Sequence, residues 1–127
     1  MTGAYRLSVE EHPGYLHATA AGKRTPQNVR RFLEEAYRAC VEKDCSSLLL
    51  ELRLAGPSLD STSIFNVISQ RAADGAKLRR IAYVDPLTSN ASDARFAETV
   101  AINRGVNVRL FPDVAAAARW LSDAERS

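Results

Sequence analysis

One stretch near the middle of the chain decides the fold: Leu48-Leu-Leu-Glu-Leu-Arg-Leu-Ala-Gly-Pro-Ser-Leu-Asp-Ser-Thr-Ser-Ile-Phe-Asn-Val-Ile68. Its first half is short and dense in leucine, which predicts a central β-strand buried on both faces. Gly56 and Pro57 then end that strand, and Asp60 is a good N-cap for the helix that follows. Because open α/β sheets bind their partners at the carboxyl ends of the strands, this junction is the first place to look for function.

Two alternating segments before this stretch, residues 5–9 and 15–21, predict strands. A turn signal at residues 12–14 joins them and Gly22 ends the second, so the two strands should form an antiparallel hairpin. Thr25 and Pro26 then mark the start of a first helix, with the hydroxyl as its cap and proline at the first helical position. Its apolar stripe is formed by Val29, Leu33, Ala36 and Cys40.

The second half of the chain alternates between helix and strand. Gly75 is the expected C-cap of the second helix, and residues 78–84 predict a strand. Residues 87–92 are expected to form a polar loop that ends in capping residues, and Gly105 closes the third helix that follows. Residues 106–111 predict the last strand, Pro112-Asp113 begins a fourth helix, and the polar tail from Ser122 is expected to fray.

The order β-β-α-β-α-β-α-β-α predicts an α/β fold with right-handed crossovers. We expect a single layer of mostly parallel five-stranded sheet with an N-terminal β-hairpin and four helices, in one domain that spans residues 1–127. The sheet core should be lined by Leu49, Leu50, Leu52, Ile81, Val84, Val108 and Leu110.

Composition excludes several classes of protein. Hydrophobic residues make up 46% of the chain and charged residues 25%, which is typical of a soluble domain and not of a disordered one. The formal net charge of +2 is too small to indicate a nucleic-acid-binding surface. No apolar run approaches the roughly 20 residues of a membrane span, and no signal peptide is visible. We therefore expect a cytoplasmic protein that binds no nucleic acid and does not span a membrane.

No arrangement of residues predicts catalysis. Cys40 and Cys45 fit neither a zinc site nor a redox motif and are expected to be reduced, structural thiols. His12 lies in a turn and His17 on a strand, and both are expected to be structural or solvated. Asp85 precedes a proline and is expected to form a turn. With no dinucleotide or Walker fingerprint, we expect no enzyme, no cofactor and no metal.

The start of the second helix is the one candidate site with a physical mechanism. A helix N-terminus offers free amides and the positive end of the helix dipole, so it tolerates a phosphate, although Asp60 would oppose one. The alternative is that Asp60 and the neighbouring hydroxyls only cap the helix. The candidate binding residues are Ser58, Asp60, Ser61, Thr62, Ser63 and Ile64.

The element order and this Asp-Ser-rich helix start resemble the STAS fold of bacterial anti-sigma factor antagonists, the SpoIIAA-like group. In phosphorylated members the second helix begins Asp-Ser-Ser-Gly-Leu, and the third residue of that run carries the phosphate. The matching run here is Asp60-Ser61-Thr62-Ser63-Ile64, so Thr62 takes the position of the phosphorylated serine and Ser63 that of the glycine. Thr62 and Ser61 are accordingly the candidate phosphorylation sites.

Three motifs resemble the uncharacterised SpoIIAA-like proteins, a STAS/Sec14-related group that generally lacks the phosphorylation motif. They are Ile81-Ala82-Tyr83-Val84-Asp85, Val108-Arg109-Leu110-Phe111-Pro112 and Ala118-Arg119-Trp120-Leu121. The two resemblances imply a bacterial, non-enzymatic regulatory module that binds a protein partner. The alternative is a binder of a small apolar or lipid-like ligand in a cleft between helices and sheet. A homodimer and a small enzyme are left open.

Overall fold

A computed structural model of the chain describes residues 5–57, 59–86 and 91–126. The elements have the predicted order and are β1 (Tyr5–His12), β2 (Tyr15–Lys23), α1 (Pro26–Glu42), β3 (Ser47–Ala55), α2 (Ser61–Gly75), β4 (Arg80–Val84), α3 (Ala91–Asn103), β5 (Val108–Phe111) and α4 (Val114–Arg126). None of these helices is long and apolar enough to cross a membrane.

The five strands form one mixed sheet in the order β1-β2-β3-β4-β5. The β1–β2 hairpin is antiparallel, whereas β2, β3, β4 and β5 pair in parallel. The central strand β3 is buried on both faces from Ser47 to Leu52, which confirms the prediction from its leucine run. Thr25 caps α1 as predicted, because its hydroxyl accepts a hydrogen bond from the Asn28 backbone N–H at 3.0 Å.

Two hydrophobic clusters lie on opposite faces of the sheet. The larger packs β2, β3 and β4 against α1, α2 and α3 and contains Phe32, Leu50, Leu52 and Ile81. The smaller packs Leu49 and Val84 against Ala117 and Leu121 of α4. These observations confirm the predicted core residues of β3 and β4. Val108 and Leu110 are only half-buried, because β5 is an edge strand.

Several predicted boundaries are wrong by a few residues. β4 begins at Arg80 instead of residue 78, and β5 begins at Val108 instead of residue 106. β2 continues through Gly22 to Lys23. Of the predicted polar loop, residues 87–90 lie outside the described ranges, and Ser92 already belongs to α3. Ser122 is also helical, because α4 continues to Arg126.

Gly75 does not have the predicted role. It is the last residue of α2, and the C-cap is Ala76. Gly75 is buried, and a Cβ atom at this position would lie 3.1 Å from the hydroxyl oxygen of Tyr37. The missing side chain therefore allows α2 to pack closely against α1 instead of ending the helix.

Candidate functional site

The candidate site is the N-terminus of α2, which follows directly from the carboxyl end of the central strand. Asp60 caps the helix, because its Oδ1 accepts a hydrogen bond from the Ser63 backbone N–H at 2.7 Å. This hydrogen bond stabilises the ionised carboxylate and lowers the pKa of Asp60. The prediction that Asp60 caps this helix is thus confirmed, and a negative charge is fixed at the surface.

The residues that follow Asp60 differ in exposure. Ser61 and Thr62 are exposed, Ser63 is half-buried, and Ile64 is buried against the core. The two hydroxyl groups proposed for phosphorylation are therefore accessible, whereas Ile64 is a core residue and only anchors the helix start. Ser58 lies outside the described residues.

An aromatic side chain one turn further along α2 extends this exposed surface. Phe65 is 43% exposed, and the guanidinium carbon of Arg104 lies 4.7 Å from the centroid of its ring. Arg104 Nε also donates a hydrogen bond to the Ser69 hydroxyl at 2.7 Å. Sequence reasoning missed this pair, because Arg104 follows α3 and reaches α2 only in the folded chain.

A buried ion pair lies at the carboxyl ends of the strands beneath the helix start. Arg24 and Asp85 form a two-pronged pair, with Nη1–Oδ2 at 2.9 Å and Nη2–Oδ1 at 2.7 Å. Their side chains are only 6% and 2% exposed. The interpretation of Asp85 as a turn former misses its main contact, because its side chain is the buried partner of a charge 61 residues away.

The same ion pair connects the ends of three strands. Arg24 follows β2, and its backbone N–H donates to Ala55 O at the end of β3 at 2.8 Å. Its Nη2 also donates to Leu54 O at 3.1 Å. On β4, the Tyr83 hydroxyl donates to Asp85 Oδ2 at 2.9 Å; burial, together with this carboxylate, holds the pKa of Tyr83 well above its usual value. These hydrogen bonds hold the end of β3 in place, and the loop into α2 starts there.

An apolar cavity of about 90 Å³ lies between the sheet and helices α1, α2 and α3. Most of its lining is aliphatic, including Leu50, Ile64, Val67 and Ala97, and Arg24 and Asp85 are among its polar lining residues. The volume exceeds the ~10–15 Å³ needed for one water molecule. It falls well below the ~300–1,000 Å³ of pockets that hold drug-sized ligands. In this conformation the cavity admits only a very small apolar molecule.

The two thiols and the two histidines lie elsewhere. Cys40 is buried and Cys45 half-buried, and both are free, as expected for structural thiols. Burial raises the pKa of Cys40 to about 12, so its thiol is unreactive. His12 and His17 come together on the β1–β2 hairpin, where His17 Nε2 lies 2.7 Å from Oε1 of the buried Glu51. Sequence reasoning missed Glu51 because it is flanked by leucines within the run that predicts a buried strand.

Comparison with solved structures identifies the fold. An anti-sigma factor antagonist from Mycobacterium paratuberculosis superposes with a TM-score of 0.66 at 17% identity, over 97% of this chain and 98% of that chain. An uncharacterised protein with a SpoIIAA-like fold from Shewanella loihica gives a TM-score of 0.58 at 17% identity, over 92% and 93% of the two chains. No protein-family model and no curated protein sequence matches the chain. The chain therefore has the SpoIIAA-like (STAS) fold, as the resemblance implied.

Proposed function

We propose that this chain, taken as one domain over residues 1–127, is a regulatory module that acts by binding a protein partner through the start of α2. The observation that carries the proposal is the exposed surface that Asp60, Ser61, Thr62 and Phe65 form at the start of α2. An aromatic ring next to polar rim residues is a common composition for a binding surface. The fold shared with an anti-sigma factor antagonist supports a protein partner.

A binding role fits this surface better than catalysis. Activation of a serine or threonine hydroxyl for attack requires a base within hydrogen-bond reach. The chain has two histidines, and both lie on the hairpin, on the face of the sheet opposite α2. Ser61 and Thr62 are instead positioned to accept a modification. A phosphate on either residue would add about −1.5 to −2 charges next to the ionised Asp60.

The test measures partner binding by wild type and Thr62→Glu. The partner is first captured by a photo-crosslinking residue at position 62, with the same crosslinker at the exposed Val41 on α1 as control. A negative charge near a helix N-terminus leaves the fold intact, but its desolvation in an interface is unfavourable. We therefore expect Thr62→Glu to weaken binding about tenfold or more.

The matched control for this titration is Gln70→Glu, which adds the same charge at an exposed position two turns further along α2. It should bind the partner as wild type does. Equal affinity of wild type and Thr62→Glu for the partner would show that residues 60–63 only cap the helix. Crosslinks from position 62 only to a second copy of this chain would show that this surface forms a homodimer and does not bind another protein.

A small apolar ligand is the second candidate, supported by the cavity beneath α2. Its volume of about 90 Å³ argues against a lipid chain in this conformation. A long-chain fatty acid should therefore leave the thermal midpoint unchanged. A saturable rise in that midpoint, equal in wild type and Thr62→Glu, would favour the ligand-binding function over the protein-binding one.

A further inference from the structure

The β1–β2 hairpin gathers three side chains that have metal-binding atoms. Glu10 pairs with His17 across the antiparallel ladder, and His12 lies two residues beyond Glu10 on β1. Because side chains alternate between faces along a strand, all three project from the same face of the sheet. One ligand atom from each residue lies within 4.8 Å of the other two.

Hydrogen bonding directs one nitrogen of His17 towards this cluster. Its Nε2 lies 2.7 Å from Glu51 Oε1, while its Nδ1 lies 3.9 Å from Glu10 Oε2. An ionised carboxylate only accepts hydrogen bonds, so Nε2 carries a hydrogen that it donates to Glu51. In the neutral ring Nδ1 then presents a lone pair towards Glu10. Nδ1 is therefore the ring nitrogen of His17 that is available to coordinate a metal ion on the side of Glu10.

Glu51 is well placed to accept the hydrogen bond from His17 Nε2. It is 5% exposed on the central strand, and Arg53 Nε donates a hydrogen bond to its other carboxylate oxygen. A carboxylate that accepts a hydrogen bond from the far nitrogen of a histidine is the usual outer partner of a metal-binding imidazole.

His12 supplies an independent observation. Its ring is stacked on Tyr15, with centroids 4.8 Å apart and planes 4° from parallel, so the ring orientation is fixed. Its Nε2 atom is buried and has no hydrogen-bond partner among the described residues. A buried ring nitrogen without a partner is unfavourable, and a cation coordinated by that nitrogen would relieve this cost.

We propose that Glu10, His12 and His17 bind a divalent transition-metal ion of the Zn²⁺ class, with Glu51 as the positioning residue for His17. Two imidazoles and one carboxylate form a ligand set that Zn²⁺ commonly uses, with a fourth position left for water. Ligand atoms around tetrahedral zinc lie about 3.3 Å apart, given bond lengths of about 2.0–2.2 Å. The cluster must therefore contract, and the exposed Glu10 side chain is free to rotate towards the two rings.

The direct test is a titration of the wild-type chain with Zn²⁺, followed by the ¹⁵N resonances of the imidazole rings. Because the chain has only two histidines, each resonance reports on one proposed ligand. We expect one equivalent of Zn²⁺ to shift both rings and to leave His17 with a hydrogen on Nε2. A response in one ring or in neither would overturn the site, and a hydrogen on Nδ1 of His17 would overturn the role of Glu51.

Variants then assign the ligands by calorimetric titration with Zn²⁺. His12→Gln and Glu10→Gln should each weaken binding about tenfold or more, and Glu51→Gln about 10–100-fold. The matched control is Glu11→Gln, which removes a neighbouring exposed carboxylate on the opposite face of β1 and should bind as wild type. Loss of binding in Cys45→Ser, or equal affinity in all hairpin variants, would contradict the proposal. Should a variant fail to fold, the wild-type ring spectra still decide.

Discussion

The two faces of the sheet are covered unequally. Helices α1, α2 and α3 pack on one face, whereas α4 packs on the other over β3, β4 and β5. On the second face the hairpin half is polar, and Arg6, Ser8 and Glu10 are exposed. The first face thus encloses an apolar core, and the second face changes from apolar beneath α4 to polar along the hairpin.

A buried carboxylate lies on each face, Asp85 on the first and Glu51 on the second, and the two have different partners. Asp85 is held by Arg24, whose charge is permanent, and by the Tyr83 hydroxyl. Glu51 is held by His17, one of the proposed metal ligands, and by the half-exposed Arg53. The comparison indicates that Asp85 serves the fold, while Glu51 orients an imidazole of the proposed metal site.

The largest expected effect is that of Asp85→Asn. This change leaves the Arg24 guanidinium buried without a negative partner, which should lower the free energy of unfolding by about 3–5 kcal/mol. Chemical denaturation at neutral pH measures the loss. The double variant Arg24→Met with Asp85→Leu should recover most of it, because both charges are then removed. A loss as small as that of an exposed ion pair would show that Asp85 is not the structural carboxylate.

Leu50→Ala tests the apolar core on the same face as Asp85. Deletion of this buried side chain should lower the free energy of unfolding by about 2–5 kcal/mol. It should also enlarge the neighbouring cavity towards the ~150 Å³ at which an apolar cavity binds benzene. Val41→Ala, at a position that is 79% exposed, is the control and should have little effect. A loss below about 1 kcal/mol would mean that β3 does not carry the core.

Glu51→Gln should have the smallest effect, about 1–3 kcal/mol at neutral pH without metal, since it removes a charged hydrogen-bond acceptor. The pKa of Glu51 is lower in the folded state than in the unfolded chain. Its stabilising contribution is therefore complete above the unfolded value of about 4.3 and is lost as the pH falls through the folded-state pKa. Denaturation curves of both proteins between pH 7 and pH 3 should converge at the acid end. A difference in the free energy of unfolding that stays constant over this pH range would show that the charge of Glu51 does not contribute to stability.

The sequence predicts those parts of the structure that depend on local patterns. The element order follows from hydrophobic periodicity, and the caps Thr25 and Asp60 follow from turn and helix chemistry. The N-terminus of α2 could be found as a candidate site for the same reason, because capping residues next to a leucine-rich strand are neighbours in the chain. Whether this site binds a partner stays a prediction.

Contacts between distant residues could not be predicted in this way. Arg24 and Asp85 are 61 residues apart, and His17 and Glu51 are 34 apart. Both pairs depend on the register between parallel strands, which single-residue patterns do not determine. Asp85 before a proline has the local appearance of a turn residue, and its arginine comes from the end of β2, two strands away in the sheet. The role of Gly75 was missed similarly, because its reason lies in Tyr37 on another helix.

The order of the strands in the sheet has a consequence for how the chain folds. Each strand lies beside the strand that precedes it in the sequence, and paired strands are linked by a short turn or by one helix with its loops. Short connections limit the entropy lost when two segments meet, and local contacts favour fast folding. During synthesis the hairpin emerges from the ribosome first, and each later strand can then pair with a strand that has already been synthesised.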